Sequence, residues 1–589
     1  MIAYAPTPRS VESLRAQRHA RGVFTQEESQ ERLLRQWLPK RWAESALKKA
    51  RLSEFDAARD ERVTPIMEEA RAVAAIVPGV RCSDDDLRAQ AEAIAGECRG
   101  AASLSWRDMW CMVLRVCERI GLGLQWMERG TEYVGARVID SVFWLRHLRR
   151  VHARRLETAA IRLGHVHKRA DCYASRETVE RRRQQKRRNR ASIDSMELVA
   201  DDGEIVALSK VVEGSVANPA IRRGELMTRI RGFEEVASDV KHIGLFITLT
   251  CPSRMHSRLS MSGEENPKWD GTTPREANAY LSRVWARIRS KLQREEVVVY
   301  GFRIAEPHHD GCPHYHLLLF VSSEDAMDAV TVTEAFMDHA LRDSPEEPGA
   351  QLYRVKFKAM LASKGGAASY IAKYVAKNID GYQLEKDLFG NDALVASMHV
   401  EAWASTWGIR QFQQVGGAPV GVWREARRVD SETVATSGSL NSVIRSVNRS
   451  GEVKACWKSY IYAMGGTKAR RNDFRVVMRK KTQEVNGRYG RVERVMPVGL
   501  SNRDEDFMVE TRGRAWLLRR VRAPWTRVNN CTRPFAETET KEEVAHGQIE
   551  RQRSFFSGGS QSPAIQGAGG GTVHNSYGAL YGGERVATG

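Results

Sequence analysis

Residues 297–322 read VVVYGFRIAEPHHDGCPHYHLLLFVS. Two apolar, β-branched runs, VVVYGFRIAE and HYHLLLFVS, flank the polar segment PHHDGCP, whose Asp310-Gly311 pair suits the turn of a hairpin. A hairpin closed there sets Glu306 opposite His314 and Ile304 opposite His316. Side chains alternate along a strand, so His314 and His316 share one face with Glu306 beside them. Tyr315, Leu317 and Leu319 turn the other way. Two imidazoles and a carboxylate at one end of a sheet form a three-ligand metal set that leaves positions open for substrate and water. His308, His309 and Asp310 read as turn residues or as further ligands. A second His-x-His, His165 and His167, lies in helical, Arg-rich text where residues two apart do not share a face, and carries no such expectation.

Around this hairpin the elements read as a strand at 242–250, a helix at 273–292, the two strands, a helix from about 324, a strand at 352–358 and a helix at 368–378. That order predicts a split βαβ sandwich, with helices on one face of an antiparallel sheet and the other face free to build a site. The expected class is α+β: a helical, basic N-terminal region over 1–235, a central domain over 236–430, a smaller α+β or β-rich region over 431–550, and a disordered Gly/Ser-rich tail over 551–589. In 1–235, charged residues interleave with Trp, Leu and Val at spacings of three and four, and no strand-like alternation appears.

With 589 residues the chain exceeds a single core. No apolar run approaches the ~20 residues that span a bilayer, which excludes a membrane protein. The first twenty residues lack the apolar block of a secretory signal, so a cytoplasmic location with reduced cysteines is expected. Lys and Arg total 92 against 73 Asp and Glu, a net charge of +19 that suits a polyanionic partner. Seven basic residues and no acid fill 181–190, RRRQQKRRNR, a segment that reads as a solvated helix face or a phosphate contact.

The helix at 368–378 places Tyr370 and Tyr374 one turn apart on one face, with Lys373 and Lys377 each three residues after a tyrosine. Ile371, Val375 and Ile379 already supply an apolar stripe on another side, so the phenols are not required as core. A phenol of pKa about 10 needs a neighbouring ammonium or a metal-polarised electrophile to act as a nucleophile at neutral pH. A metal on the sheet, phenols on the next helix and a basic chain together describe attack on a phosphodiester.

FITLTCP (246–252), EPHHDGCPHYHLLLF (306–320) and YIAKYVAKN (370–378) resemble, in that order, the three motifs of the HUH endonucleases, with Tyr315 the bulky residue between the histidines. The paired tyrosines look like the two-tyrosine subclass, and the chain resembles the bacteriophage replication gene A protein family of rolling-circle initiators. The resemblance implies His314 and His316 as metal ligands and Tyr370 and Tyr374 as nucleophiles, with Glu306 added as third ligand by strand register. It also implies a single-stranded or supercoiled origin DNA and a 5′-phosphotyrosyl intermediate with a free 3′-hydroxyl that primes replication; hard phosphate chemistry favours Mg²⁺ or Mn²⁺ as the metal, while imidazole ligands tolerate softer ions. No GxxxxGK[ST] loop is found, so unwinding is expected from a separate host helicase and its replication machinery. Arg303, Lys356, Lys373 and Lys377 are candidate DNA contacts, and Trp403 and Trp407 are read as core. Rival readings are a noncatalytic single-stranded DNA-binding protein and a non-haem iron oxygenase built on His308, His309 and Asp310.

Overall fold

The structure, a computed structural model, describes residues 26–51, 59–129, 131–322, 326–360, 366–382, 390, 392–429, 438–448, 455–505 and 507–521; the tail read over 551–589 lies outside the described residues. In chain order the central elements are helix α1 (Pro219–Asp239), strand β1 (Ile243–Leu249), helix α2 (Pro274–Arg294), strands β2 (Tyr300–Pro307) and β3 (Pro313–Val321), helix α3 (Ala326–Leu341), strand β4 (Val355–Met360), helices α4 (Gly366–Ile379) and α5 (Ala393–Trp407), and strand β5 (Phe412–Val415). The sheet is antiparallel throughout, in the order β4-β1-β3-β2-β5. The architecture is α+β.

Local chemistry accounts for these elements. Helix α2 begins at Thr273, whose hydroxyl caps the Glu276 amide while the Glu276 carboxylate returns to the Thr273 amide, and Pro274 presets the first turn. Ala277, Tyr280, Leu281, Val284, Trp285 and Ile288 recur at helical spacing and are buried. The β2–β3 hairpin has the expected register, Glu306 with His314 and Ile304 with His316. Its turn depends on Gly311 at φ 84°, where the Asp310 carboxylate accepts from the Cys312 amide at 3.0 Å. Gly301 faces the Leu318 carbonyl so closely that any Cβ would collide with it.

Every residue of β2 and β3 is buried, and the sheet is covered on both faces. On one face Leu245, Ile247, Tyr315, Leu317 and Leu319 pack with α2 and α3. On the other, Phe246, Phe302, Ile304, Leu318 and Phe320 pack with α1 and α4. Each fully buried aliphatic side chain here contributes about 1.5–3 kcal/mol. The expectation of an open second face is therefore corrected: β3 is apolar on both sides of the pleat, and only helices on both sides can cover it. The candidate site lies at one end of this second face, beneath α4.

The N-terminal region also departs from its reading. It is mainly helical, but Met196–Ala200 and Ile205–Ala207 form a hairpin that pairs with Trp516–Arg520. The alternation is too short to be seen without its distant third strand. In the C-terminal region Val476–Gly487 and Gly490–Asn502 form a long hairpin, whose tip returns to the N-terminal helices through Arg488 and Tyr489 on Asp140, at 2.6 and 2.9 Å. Among the described residues no helix is long and apolar enough to cross a membrane.

Candidate active site

Strand β3 brings His314 and His316 to the end of the sheet next to Glu306 of β2. Their Nε2 atoms are 2.9 Å apart, and the Glu306 Oε2 lies 3.9 Å from the first and 3.6 Å from the second. Ligand atoms bound to one ion at about 2.0–2.2 Å stand roughly 3–3.5 Å from one another, so this donor set fits a divalent cation after a small closing movement of Glu306. Among the described residues it is the one group of three or more His, Cys, Asp or Glu close enough to hold a metal. Thr248 Oγ1 is bonded to His316 Nδ1 at 3.1 Å, which holds the ring and leaves Nε2 for the site. Burial, then the neighbouring His308 and His316 and Lys377, hold His314 well below the ordinary histidine range, in the neutral form a metal requires.

Helix α4 crosses this end with both tyrosines half-buried and Tyr374 against His316. The Tyr374 ring is centred 4.4 Å from that of His316, and Tyr370 lies 5.9 Å from Tyr374. Phe246 of β1 supports all three, at 5.3 Å from His316, 4.7 Å from Tyr370 and 5.3 Å from Tyr374. Ile371, Val375 and Ile379 fasten another side of the helix into the core, and the Tyr370 and Tyr374 rings pack at the margin of the same cluster, Tyr374 beside His316. Burial, then the hydrogen bond and charge of Tyr370, then Glu306, push the Tyr374 phenol above its usual value.

Several residues that hold the site have only a tertiary signature. Asn378, one turn beyond Tyr374, donates to the Glu306 carboxylate and to the Tyr374 carbonyl. Lys377 Nζ lies 3.4 Å from Glu306 Oε2 and 5.1 Å from the centre of the Tyr173 ring. Tyr173 is buried at φ 74°, a strained value for a residue with a β-carbon, and its amide donates to the His309 carbonyl at 3.2 Å. The segment ahead of the basic helix thus braces the histidine turn from outside the sheet. The helical spacing of Asn378 from Tyr374 was a usable signal; nothing local marks Tyr173 or Thr248.

Residues 127–382 match the profile of the bacteriophage replication gene A protein (GPA) family, a span that includes Tyr173, Glu306, His314, His316, Tyr370 and Tyr374. The chain belongs to the bacteriophage replication gene A protein family. It is 41% identical over 347 residues to the replication gene A protein of Escherichia phage 186, covering 58% of this chain and 49% of that protein. It is 34% identical over 428 residues to the replication protein of Haemophilus phage HP1, covering 68% and 53%. A probable replication endonuclease from a prophage-like region of Salmonella typhimurium is 32% identical over 434 residues, covering 69% and 52%. The chain spans about half the length of these relatives, and no solved structure matches it.

In this gene A family chain the remaining candidates separate. Lys373 and Lys358 stand 4.3 and 4.2 Å from the centre of the Tyr370 ring, and Lys356 is exposed on the same face. Lys377 differs from its expected place on DNA: it is buried against Glu306, as the geometry above requires. Arg303 also differs, because strand alternation sends it to the opposite face, where its guanidinium covers the Tyr315 ring at 4.2 Å. His308, His309 and Asp310 form the hairpin turn, and Asp310 is engaged by His256 Nδ1 at 3.2 Å, so they make no separate triad. Trp403 and Trp407 are core, with Trp403 Nε1 donating to the Gly311 carbonyl at 2.8 Å. His165 is buried and stacked on Trp42 at 5.2 Å. The basic run lies on the helix Arg176–Asp194, where Arg182 and Lys186 both bind Glu401 at 2.9 Å, so part of its charge ties that helix to α5.

Proposed function

We propose that this chain initiates phage DNA replication by nicking one strand at the origin through tyrosine transesterification, as a two-tyrosine HUH endonuclease. On this reading residues 236–430 are the catalytic domain and the host cytoplasm is the place of action. The observation that carries it is the meeting of two elements remote in sequence: Tyr374 packed 4.4 Å from His316, within the His314, His316 and Glu306 cluster. Glu306, His314 and His316 would hold the cation, Mg²⁺ or Mn²⁺, which when bound would supply positive charge to the scissile phosphate. The phenol oxygen of Tyr370 or Tyr374 forms a bond to phosphorus, the bond from phosphorus to the 3′-oxygen breaks, and the departing 3′-oxygen takes up a proton in exchange for the one the phenol gives up. The products are a 5′-phosphotyrosyl link and a 3′-hydroxyl that primes synthesis. The second tyrosine repeats the exchange on the regenerated origin, so the strand is rejoined without a nucleotide cofactor. Lys373 and Lys358, beside the Tyr370 ring, offset phosphate charge at the attacking side.

The test is an SDS-resistant protein–DNA band formed from an origin-derived single-stranded oligonucleotide with Mg²⁺ or Mn²⁺. Tyr370→Phe combined with Tyr374→Phe abolishes the band, and His316→Ala strongly weakens it. DNA binding with no adduct under any divalent metal would instead support a noncatalytic binding protein.

A further inference from the structure

The face that carries the ligands continues outward across β1 to the edge strand β4. Register sets Thr248 beside both His316 and Lys356, and Phe246 beside both Leu318 and Lys358. Lys356 and Lys358 therefore stand on the His316 face, two strand spacings or about 10 Å from β3, and both are exposed. Lys358 reaches back to the Tyr370 ring at 4.2 Å, where Lys373 meets it from α4 at 4.3 Å. The three ammonium groups make a continuous cationic lane from the edge of the sheet to the phenols.

At the ligand end of this lane the short helix Ala350–Tyr353 leads into β4. Thr250 Oγ1 donates to the Tyr353 carbonyl at 2.9 Å and fixes the backbone, yet the Tyr353 side chain points to solvent: the residue is 65% exposed, and Leu352 beside it 69%. Lys356 Nζ lies 6.0 Å from the centre of the Tyr353 ring. The acid nearest in sequence to the short helix, Glu347, is turned inward to Arg354 at 3.3 Å and to the Ser253 amide at 2.6 Å, so it does not oppose an anion on the lane. Lysines alone on an edge strand guard against sheet extension. An aromatic ring held out on a pinned backbone next to them is not needed for that, and is the arrangement that stacks a base beside a held phosphate.

We infer that this edge seats the single-stranded DNA running to Tyr370 and Tyr374, with Lys356 and Lys358 on its phosphates and Tyr353 stacked on a base. The inference rests on the nicking reading for the nature of the polymer; the path along β4 is its own content. The experiment uses the full chain carrying Tyr370→Phe and Tyr374→Phe, in EDTA, titrated by fluorescence anisotropy with a labelled single-stranded oligonucleotide over a range of salt. Adding Tyr353→Ala weakens binding about tenfold and Tyr353→Phe leaves it near the starting value. Adding Lys356→Gln with Lys358→Gln lowers the slope of log affinity against log salt by about 1.4. Unchanged affinity in the first variant, or an unchanged slope in the second, overturns the path. The adduct assay on the otherwise unaltered chain separates the two ideas: no adduct with weakened edge variants sinks nicking and keeps the path, whereas a normal adduct with unaffected edge variants sinks the path alone.

Discussion

Replacing Lys377 with methionine probes how the site holds a buried carboxylate. Glu306 is fully enclosed, and burial alone would raise its pKa. Lys377, then His316 and Asn378, reverse this and pull it from 4.5 to about 2. A carboxyl depressed on folding contributes stability that is complete above its unfolded value and is lost as pH falls through the folded one, here between about 4.5 and 2. The interval corresponds to about 3 kcal/mol. A Coulomb estimate for the 3.4 Å separation of Lys377 and Glu306, at an effective dielectric of 20, gives about 5 kcal/mol. The lower figure is the better expectation, because Asn378 and the imidazoles still serve Glu306 once the ammonium is gone. In urea denaturation at pH 7 with EDTA, Lys377→Met and Glu306→Gln each cost about 3 kcal/mol, and the double variant costs less than their sum by about 2 kcal/mol. The ammonium and the imidazole nitrogens approach the same oxygen, Oε2, so Lys377→Met also binds Mn²⁺ more tightly in calorimetry. Costs that add to within about 0.5 kcal/mol, together with unchanged Mn²⁺ affinity, would refute the reasoning.

Thr248→Val keeps the volume but removes the hydrogen bond to His316 Nδ1; Mn²⁺ affinity falls about tenfold in calorimetry while the melting temperature stays nearly constant. Gly311→Ala introduces a β-carbon at φ 84°, 3.3 Å from the Tyr173 carbonyl oxygen, and loses about 1–2 kcal/mol in urea denaturation with a lower adduct yield. His152 and His165 are pushed down to about 4 by burial, then by Arg181 and Arg41 respectively. The unfolded chain takes up these protons first, so their contribution is complete above about pH 6.5 and is lost as pH falls toward 4, by at most about 3 kcal/mol each. Calorimetric scans from pH 7.5 to 4.5 read this as a falling melting temperature, and His165→Phe, which keeps the stack on Trp42, flattens part of the fall.

The elements of the central domain were legible because each carries its own period. Residues 297–322 form two apolar, β-branched runs about a polar turn that Asp310-Gly311 suits, and α2 and α4 repeat apolar residues at helical spacing. Strand alternation placed His314, His316 and Glu306 on one face before any coordinates, since register follows from the turn. What misled was solvation. A lysine in a helix motif looks like a surface cation, but α4 turns Lys377 inward to Glu306; an arginine in a strand beside a candidate ligand looks like a phosphate contact, but the pleat sends Arg303 to Tyr315. The strand Phe412–Val415 and the Met196–Ala200 hairpin are too short to carry a period and exist because a distant edge accepts their hydrogen bonds.

By itself the sequence determined the order of the strands and helices between residues 242 and 378, the hairpin register that aligns two imidazoles with a carboxylate, and the spacing of two phenols along one helix, because these follow from local dihedral preference and side-chain period. Only the tertiary structure decided that the helix lies across that end of the sheet, with Tyr374 against His316, Lys377 against Glu306, and Tyr173 bracing the turn from more than a hundred residues away. Such contacts arise from burying two apolar faces against each other, and no pattern within either segment records its partner.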